Sequence, residues 1–60
     1  MELLTIKKAS ELLGISRTSL YGLIRAGLIR TVRVSKRTVR ITRRELERFV
    51  AEREAASAEA

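Results

Sequence analysis

Two segments with a helical pattern follow each other almost without a break, and their junction restricts the fold more than any other feature of the sequence. A stripe of apolar side chains at helical spacing leads up to Gly14, a residue type common just beyond a helix C-terminus. Only Ile15 separates this glycine from Ser16, which can cap a second helix that ends at Gly27. Two helices joined across so short a turn must cross steeply, and we expect Ile15 to fill the space between them.

The length and composition of the chain exclude several classes of protein. Sixty residues suffice for one small domain, and the absence of Cys and His removes disulfides and the usual zinc ligands. We therefore expect an aliphatic core with a single Phe, and neither a cofactor nor a metal. No targeting signal is visible and no apolar run approaches the ~20 residues of a membrane span. The sequence thus predicts a cytoplasmic protein without a membrane partner.

The apolar pattern changes its period in the second half of the chain. Residues 32–34 and 39–41 each alternate apolar, basic and apolar, which is typical of half-buried strands. The polar residues 35–38 between them predict the tip of a hairpin. In this interpretation Arg33 and Arg40 are paired across the hairpin and point away from the core on one face.

A third helix is predicted after the hairpin. Thr42 and Glu45 have the spacing of a capping box, in which the Thr hydroxyl accepts from the Glu amide and the Glu carboxylate reaches back. The helix then has apolar residues at helical spacing, namely Leu46, Phe49 and Val50. We predict a mainly α fold with a small β-hairpin over residues 1–51, followed by an Ala/Glu-rich helix end or frayed tail at residues 52–60.

Positive charge is concentrated in the middle of the chain. The net charge is +6, and the segment from Leu12 to Arg44 contains nine basic residues and no Asp or Glu. Residues 1–11 are neutral overall, whereas residues 45–60 carry five Glu against two Arg. A segment of this length whose charges are all positive indicates that the protein binds a polyanion. A basic face that serves solubility alone explains the pattern less well.

Three motifs, taken in order, resemble those of a known protein family. They are "LLGIS" at residues 12–16, "LYGLIRAGLI" at 20–29 and "VRVSKRTVRI" at 32–41. Their order and spacing resemble the excisionase branch of the MerR-like winged helix-turn-helix proteins, over residues 3–51. The resemblance implies a helix, a turn, a second helix, a hairpin wing and a third helix. It also implies that the second helix enters the major groove of double-stranded DNA while the wing lies against the minor groove.

The second helix supplies the first group of candidate DNA contacts. Arg17 is the best candidate for a base contact, because a guanidinium can pair with a guanine edge, although a phosphate contact explains it equally well. Tyr21 would bind a phosphate or else lie at the rim of the core. A glycine such as Gly22 destabilises a helix interior by about 1 kcal/mol relative to Ala. Its presence is explained either by close approach of backbone or DNA or by a neutral substitution. The complete set is Arg17, Thr18, Ser19, Tyr21 and Arg25.

The hairpin supplies the second group. Lys36 and Arg37 at its tip suit a narrow minor groove, which attracts cationic side chains. Arg33 and Arg40 would contact phosphates, because two like charges side by side are better explained by a shared anionic partner than by structure. The complete set is Arg33, Ser35, Lys36, Arg37, Thr38 and Arg40.

The resemblance implies an architectural protein that binds attachment-site DNA as several adjacent copies, bends it and directs an integrase towards excision in a bacterial cell. MerR-type regulators continue into a dimerisation helix and an effector domain, where this sequence ends in a short alanine-rich segment. We therefore expect no effector domain and no small-molecule ligand. A small MerR-like transcriptional regulator without an effector domain is the alternative.

Three further classes of function fit the residues less well. An enzyme is not expected, because without His or Cys no general base is available near Ser16, Ser19 or Tyr21. A protein-interaction module would dock through Leu3, Ile29 or the tail and leave the basic block unexplained. A membrane-active amphipath would carry its charges along one helix, whereas here they fall on a turn and a hairpin.

Overall fold

Three helices and a small antiparallel sheet form the part of the chain described by the computed structural model, residues 1–59. This arrangement is mostly helical and is a winged helix-turn-helix, which confirms the predicted fold class. In chain order the elements are β1 (Leu3–Leu4), α1 (Ile6–Leu13), α2 (Arg17–Arg25), β2 (Val32–Ser35), β3 (Thr38–Thr42) and α3 (Arg43–Glu59).

The boundaries of α1 and α2 follow from the residues at their ends. The hydroxyls of Thr5 and Ser16 each accept a hydrogen bond from the backbone amide three residues on, at 2.9 Å and 3.1 Å. Gly14 follows α1 with φ 71°, in the left-handed region where a residue with a Cβ atom is disfavoured. Ile15 in the turn is partly buried and packs against the core, as its position between the two helices predicts.

A third strand, β1, extends the predicted hairpin into a sheet. The order is β1-β3-β2, with both neighbouring pairs antiparallel, and Leu4 of β1 lies opposite Ile41 of β3. Leu4 is 4% exposed and Ile41 is fully buried, so this pair joins the N-terminal segment to the core. The sequence pattern does not predict β1, because a strand of two residues is too short to show an alternation.

The register of the hairpin contradicts one expectation. Arg33 lies opposite Val39 and Arg40 lies opposite Val32, so the two arginines are not paired with each other. Because directly opposite side chains share a face and successive ones alternate, Arg33 and Arg40 start from opposite faces of the hairpin and do not both point away from the core. The register shifts by one residue between Arg33 and Ser35, an irregularity that a pattern of alternating side chains does not reveal. Strand pairing continues to Ser35 and Thr38, which shortens the tip from the predicted four residues to the two between them.

The core lies between the three helices and one face of β3, not under the whole wing. Its buried side chains are Leu4, Ala9, Leu20, Ile29, Ile41, Leu46 and Phe49. Val32 and Val34 are 41% and 55% exposed, so β2 does not have the half-buried character that its alternation predicts. Ile29 is 1% exposed, which excludes it as the docking residue considered for a protein-interaction module.

Only half of the expected capping box forms at the start of α3. The Glu45 amide donates to the Thr42 hydroxyl at 3.0 Å, as predicted. The Glu45 carboxylate, however, accepts from the backbone amide of Arg30 at 2.8 Å and does not reach back to Thr42. The helix itself continues through Glu59.

Candidate nucleic-acid interface

A groove of about 420 Å³ lies between α2 and the hairpin. Helix α2 contributes Tyr21 and Ile24 to it, and α1 contributes Ile6. The hairpin and the linker that precedes it contribute Thr31, Arg33, Arg37, Val39 and Arg40. The groove therefore combines three guanidinium groups and a phenol with aliphatic side chains, and no carboxylate is among its lining residues in the part of the chain that the structure describes.

The first turn of α2 presents a separate polar surface. Arg17, Thr18 and Ser19 are exposed there, directly after the Ser16 cap. The Ser19 hydroxyl lies 3.1 Å from that of Ser16, so it is partly engaged within the protein, whereas Arg17 makes no such contact among the described residues. Free backbone amides and a cationic side chain at a helix N-terminus suit an anionic partner.

Tyr21 and Arg25 lie further along α2. Tyr21 is 49% exposed and lines the groove, which leaves its hydroxyl accessible to a phosphate. Arg25 is exposed in the last turn, where a cation interacts favourably with the helix dipole. Neither Arg25 nor the three residues of the first turn lines the groove itself.

Internal hydrogen bonds brace the hairpin and leave its tip exposed. Arg33 Nη1 donates to the Lys36 carbonyl at 2.9 Å, which ties the strand to the tip. Arg40 Nη1 donates to the Val39 carbonyl at 3.0 Å. A guanidinium has five N–H donors, so both arginines keep donors for a ligand, and only the Arg33 contact also joins a strand to the tip. Lys36 and Arg37 occupy the two-residue tip and are exposed.

The structure brings together four of the predicted residues in one groove, namely Tyr21, Arg33, Arg37 and Arg40. The remaining wing candidates, Ser35, Lys36 and Thr38, lie at or beside the tip. Residues Ile6, Ile24, Thr31 and Val39 also line the groove and were not predicted as site residues. Apolar residues at a binding surface resemble core residues in sequence, and only the polar Thr31 directly before β2 offered a recognisable signal. Contacts of all these residues with DNA remain a prediction.

Two side chains of α3 fix the linker between α2 and β2. Besides accepting from the Arg30 amide, the Glu45 carboxylate binds Arg48 through contacts of 2.6 Å and 2.9 Å. Arg48 Nη2 also donates to the Leu28 carbonyl at 2.9 Å. These contacts flank the buried Ile29, and we call Glu45 and Arg48 together the linker clamp. The clamp helps to set where the hairpin stands relative to α2.

The electrostatics of the clamp keep Glu45 ionised at neutral pH. Its side chain is only 14% exposed, yet the Arg48 guanidinium, and to a smaller extent the Arg30 amide, lower the pKa of Glu45 to about 2. The same interaction raises the pKa of Arg48. The first carboxylate after the basic block is therefore neutralised by an arginine of its own helix.

Gly22 offers a test of how closely DNA approaches α2. A Cβ atom added at Gly22 would have no neighbour within 4 Å, so packing inside the protein does not explain the glycine. We expect Gly22→Ala to stabilise the fold by roughly 0.5–1 kcal/mol, measured by thermal unfolding. If DNA approaches the backbone there, the same variant weakens DNA binding severalfold in a gel-shift titration. Unchanged or tighter binding would favour the neutral explanation.

Comparison with known families agrees with this geometry. The fold, the groove and the exposed basic tip together define a small helix-turn-helix protein that binds DNA. The helix-turn-helix domain family matches residues 3–54, and the chain belongs to this family. Searches among curated proteins and among solved structures gave no match. Within residues 1–59, no helix has the length and apolarity needed to cross a membrane, and no cluster of three His, Cys, Asp or Glu forms a metal site.

Proposed function

We propose that this protein is an excisionase-type architectural factor, which binds attachment-site DNA sequence-specifically, bends it and directs an integrase towards excision. The observation that carries the proposal is the basic groove between α2 and the hairpin, with Lys36 and Arg37 exposed at its outer end. The three motifs that resemble the excisionase branch map onto the helix-turn-helix junction, α2 and the hairpin. The resemblance and the groove therefore concern the same surface.

In this proposal α2 and the wing have different tasks. Arg17, Thr18 and Ser19 at the start of α2 face base edges in the major groove, where N-terminal residues of an inserted helix read sequence. Lys36 and Arg37 enter the adjacent minor groove, and Arg33 and Arg40 contact phosphates on either side. Contacts in two successive grooves favour a bent duplex, because bending brings more DNA surface against the protein.

Several adjacent copies are part of the proposal. One compact module covers roughly 600–1,000 Å² on DNA, which limits the affinity of a single copy. Side-by-side copies on neighbouring sites, in contact with each other and with an integrase, would supply the missing stability. The protein would then act on the bacterial nucleoid in the cytoplasm.

The salt dependence of binding tests the DNA-binding surface itself. If the groove, the tip and the first turn of α2 neutralise about five phosphates, the logarithm of the association constant falls with log salt with a slope near −4 to −5. The slope is measured by fluorescence anisotropy on duplexes identified by footprinting the DNA that flanks the gene. A flat response would contradict the proposed surface.

An excision assay tests the architectural role. Purified integrase and a substrate with both attachment sites are incubated with and without the protein, and excised product is quantified. The proposal expects excision to depend on the protein and tandem sites to fill cooperatively. Excision that proceeds equally without it, combined with binding at a promoter, would instead favour the small transcriptional regulator.

A further inference from the structure

The hairpin is closed at its base by a contact that belongs to α3. The Glu45 carboxylate accepts from the Arg30 amide at 2.8 Å; the two residues are 15 apart in sequence, and the whole hairpin lies between them. Three residues further along α3, Arg48 Nη2 donates to the Leu28 carbonyl at 2.9 Å. Ile29, between the two bonded linker residues, is 1% exposed. The linker is therefore held at three successive residues just before the wing begins.

The outer strand of the wing depends on this attachment, because none of its own residues packs in the core. All four residues of β2 are exposed. This strand is held by its pairing with β3 and by the linker that leads into it. On the other strand of the hairpin, Ile41 is fully buried and fixes β3 to the core. A segment with few buried contacts moves easily, so a hairpin attached through β3 alone can tilt, and the linker fixes its orientation.

The linker clamp is one continuous chain of hydrogen bonds. Glu45 Oε2 accepts from both the Arg30 amide and Arg48 Nη2, and Nη2 is also the donor to the Leu28 carbonyl. Arg48 makes a second bond to Glu45 at 2.9 Å and one to Glu52 at 2.7 Å. Paired bonds between a guanidinium and a carboxylate are strong and fix the geometry of both groups. Loss of either clamp residue therefore disturbs both contacts with the linker.

The held linker joins the two parts of the proposed DNA-binding surface. At one end, the Leu28 amide donates to the Leu23 carbonyl of α2 at 3.0 Å. At the other end, Thr31 directly follows the bonded Arg30 and lines the groove between α2 and the hairpin. Neither clamp residue lines that groove itself. The clamp therefore acts on the separation of α2 and the wing without reaching a ligand in the groove.

We propose that Glu45 and Arg48 are positioning residues for DNA binding, which hold the wing at the distance and orientation from α2 that let both parts contact one duplex. The inference rests on the proposed function, because it requires Lys36 and Arg37 at the wing tip to contact DNA. A binding surface that is already ordered in the free protein loses less entropy on association and binds more tightly. A wing released from the clamp must be ordered on DNA, and its contribution to affinity falls.

Arg48→Met tests the proposal, because it removes the hydrogen bonds of the clamp arginine and keeps an aliphatic side chain. We expect DNA binding about five- to tenfold weaker at 0.1 M salt, by anisotropy on a footprinted duplex. Arg44→Met makes the same change at an exposed position of α3 outside the clamp and should weaken binding less than about twofold. Glu45→Gln should also weaken binding, although it makes the protein more positive, which a purely electrostatic effect would not do.

A double-mutant cycle separates positioning from a loss of stability. Lys36→Ala combined with Arg37→Ala removes the charges of the wing tip, and in the Arg48→Met background this change should reduce affinity at least about fivefold less than in the original protein. Arg17→Ala, at the start of α2, should have the same effect in both backgrounds within about twofold. Val50→Ala, which loosens α3 outside the clamp, should leave the effect of the wing substitutions unchanged. Partial unfolding would scale all contributions alike, and circular dichroism confirms folding at the assay temperature.

A measurement without DNA reports the position of the wing itself. The chain has no Cys, so nitroxide labels can be attached to cysteines introduced at two exposed positions, Thr18→Cys in α2 and Lys36→Cys at the tip. Pulsed electron paramagnetic resonance then gives the distribution of distances between the labels. We expect this distribution to become about twice as broad with Arg48→Met and to stay unchanged with Arg44→Met.

Three results would overturn the proposal. They are an unchanged distance distribution with Arg48→Met, equal effects of the wing substitutions in both backgrounds, and equal losses of DNA affinity with Arg48→Met and Arg44→Met. If the wing substitutions have no effect even in the original protein, the proposed DNA-binding surface is wrong and the positioning role falls with it. The distance measurement distinguishes the two failures, because it contains no DNA and reports whether the clamp holds the wing.

Discussion

Replacing both Lys36 and Arg37 with alanine is expected to weaken DNA binding by about ten- to a hundredfold at 0.1 M salt and to reduce the salt slope by roughly 2. The two residues form the whole exposed tip of the hairpin, while Arg33 holds the tip from behind through the Lys36 carbonyl. The double variant therefore removes two charges from the wing without removing the contact that shapes it. Anisotropy titrations at several salt concentrations measure both quantities.

A second double variant with the same net charge provides the control. Arg44→Ala combined with Arg53→Ala also removes two positive charges, from exposed positions of α3 outside the groove. It should weaken binding by less than about threefold, through the general field of the protein alone. Equal losses in the two double variants would mean that net charge, and not the wing, accounts for DNA binding.

Replacing Glu45 with alanine is expected to lower the free energy of unfolding by about 2 kcal/mol at pH 7. The variant loses the acceptor of the Arg30 amide and the carboxylate that binds Arg48. A domain of this size has a stability of only a few kcal/mol, so the loss is a large fraction of the total. Urea unfolding followed by circular dichroism measures it.

The effect of Glu45→Ala should depend on pH with a definite sign. The folded pKa of Glu45 is about 2 and its ordinary value is 4.5, so its stabilisation is complete above about pH 4.5 and disappears as the pH falls through 2. The difference between the original protein and the variant should therefore shrink between pH 5 and pH 2. Glu47→Ala, an exposed carboxylate of the same helix, should change stability little at any pH. A pH-independent difference for Glu45 would contradict the role of the ion pair.

Features that depend on residues close in sequence were predictable. The caps at Thr5 and Ser16 and the left-handed Gly14 each require only a few neighbouring residues, and all three form as expected. Contacts between distant segments were not predictable in the same way. Glu45 has the spacing of a capping box, but its carboxylate pairs with a backbone amide 15 residues earlier, because the linker comes within reach only after folding.

In the candidate site, too, local features were predictable from the sequence and contacts between distant segments were not. Charge identified Arg33, Arg37 and Arg40, which do line one groove. Their alternation with apolar residues did not predict the register of the hairpin. A one-residue shift in β2 changes the cross-strand partners but leaves the sequence pattern unaltered. Ile6 and Thr31 carry no charge, and their place in the groove depends on how α1 and the linker pack.

The short strand β1 has a consequence for how the protein folds during its synthesis. Its partners are Thr42 and Ile41, and the Arg43 amide donates to the Glu2 carbonyl at 3.0 Å. A nascent chain that has emerged only as far as the hairpin tip has nothing for its N-terminal residues to pair with, and Leu4 stays in water. The α1–α2 pair therefore lacks part of its core until β3 has formed, and we expect it to be unstable before that strand is available.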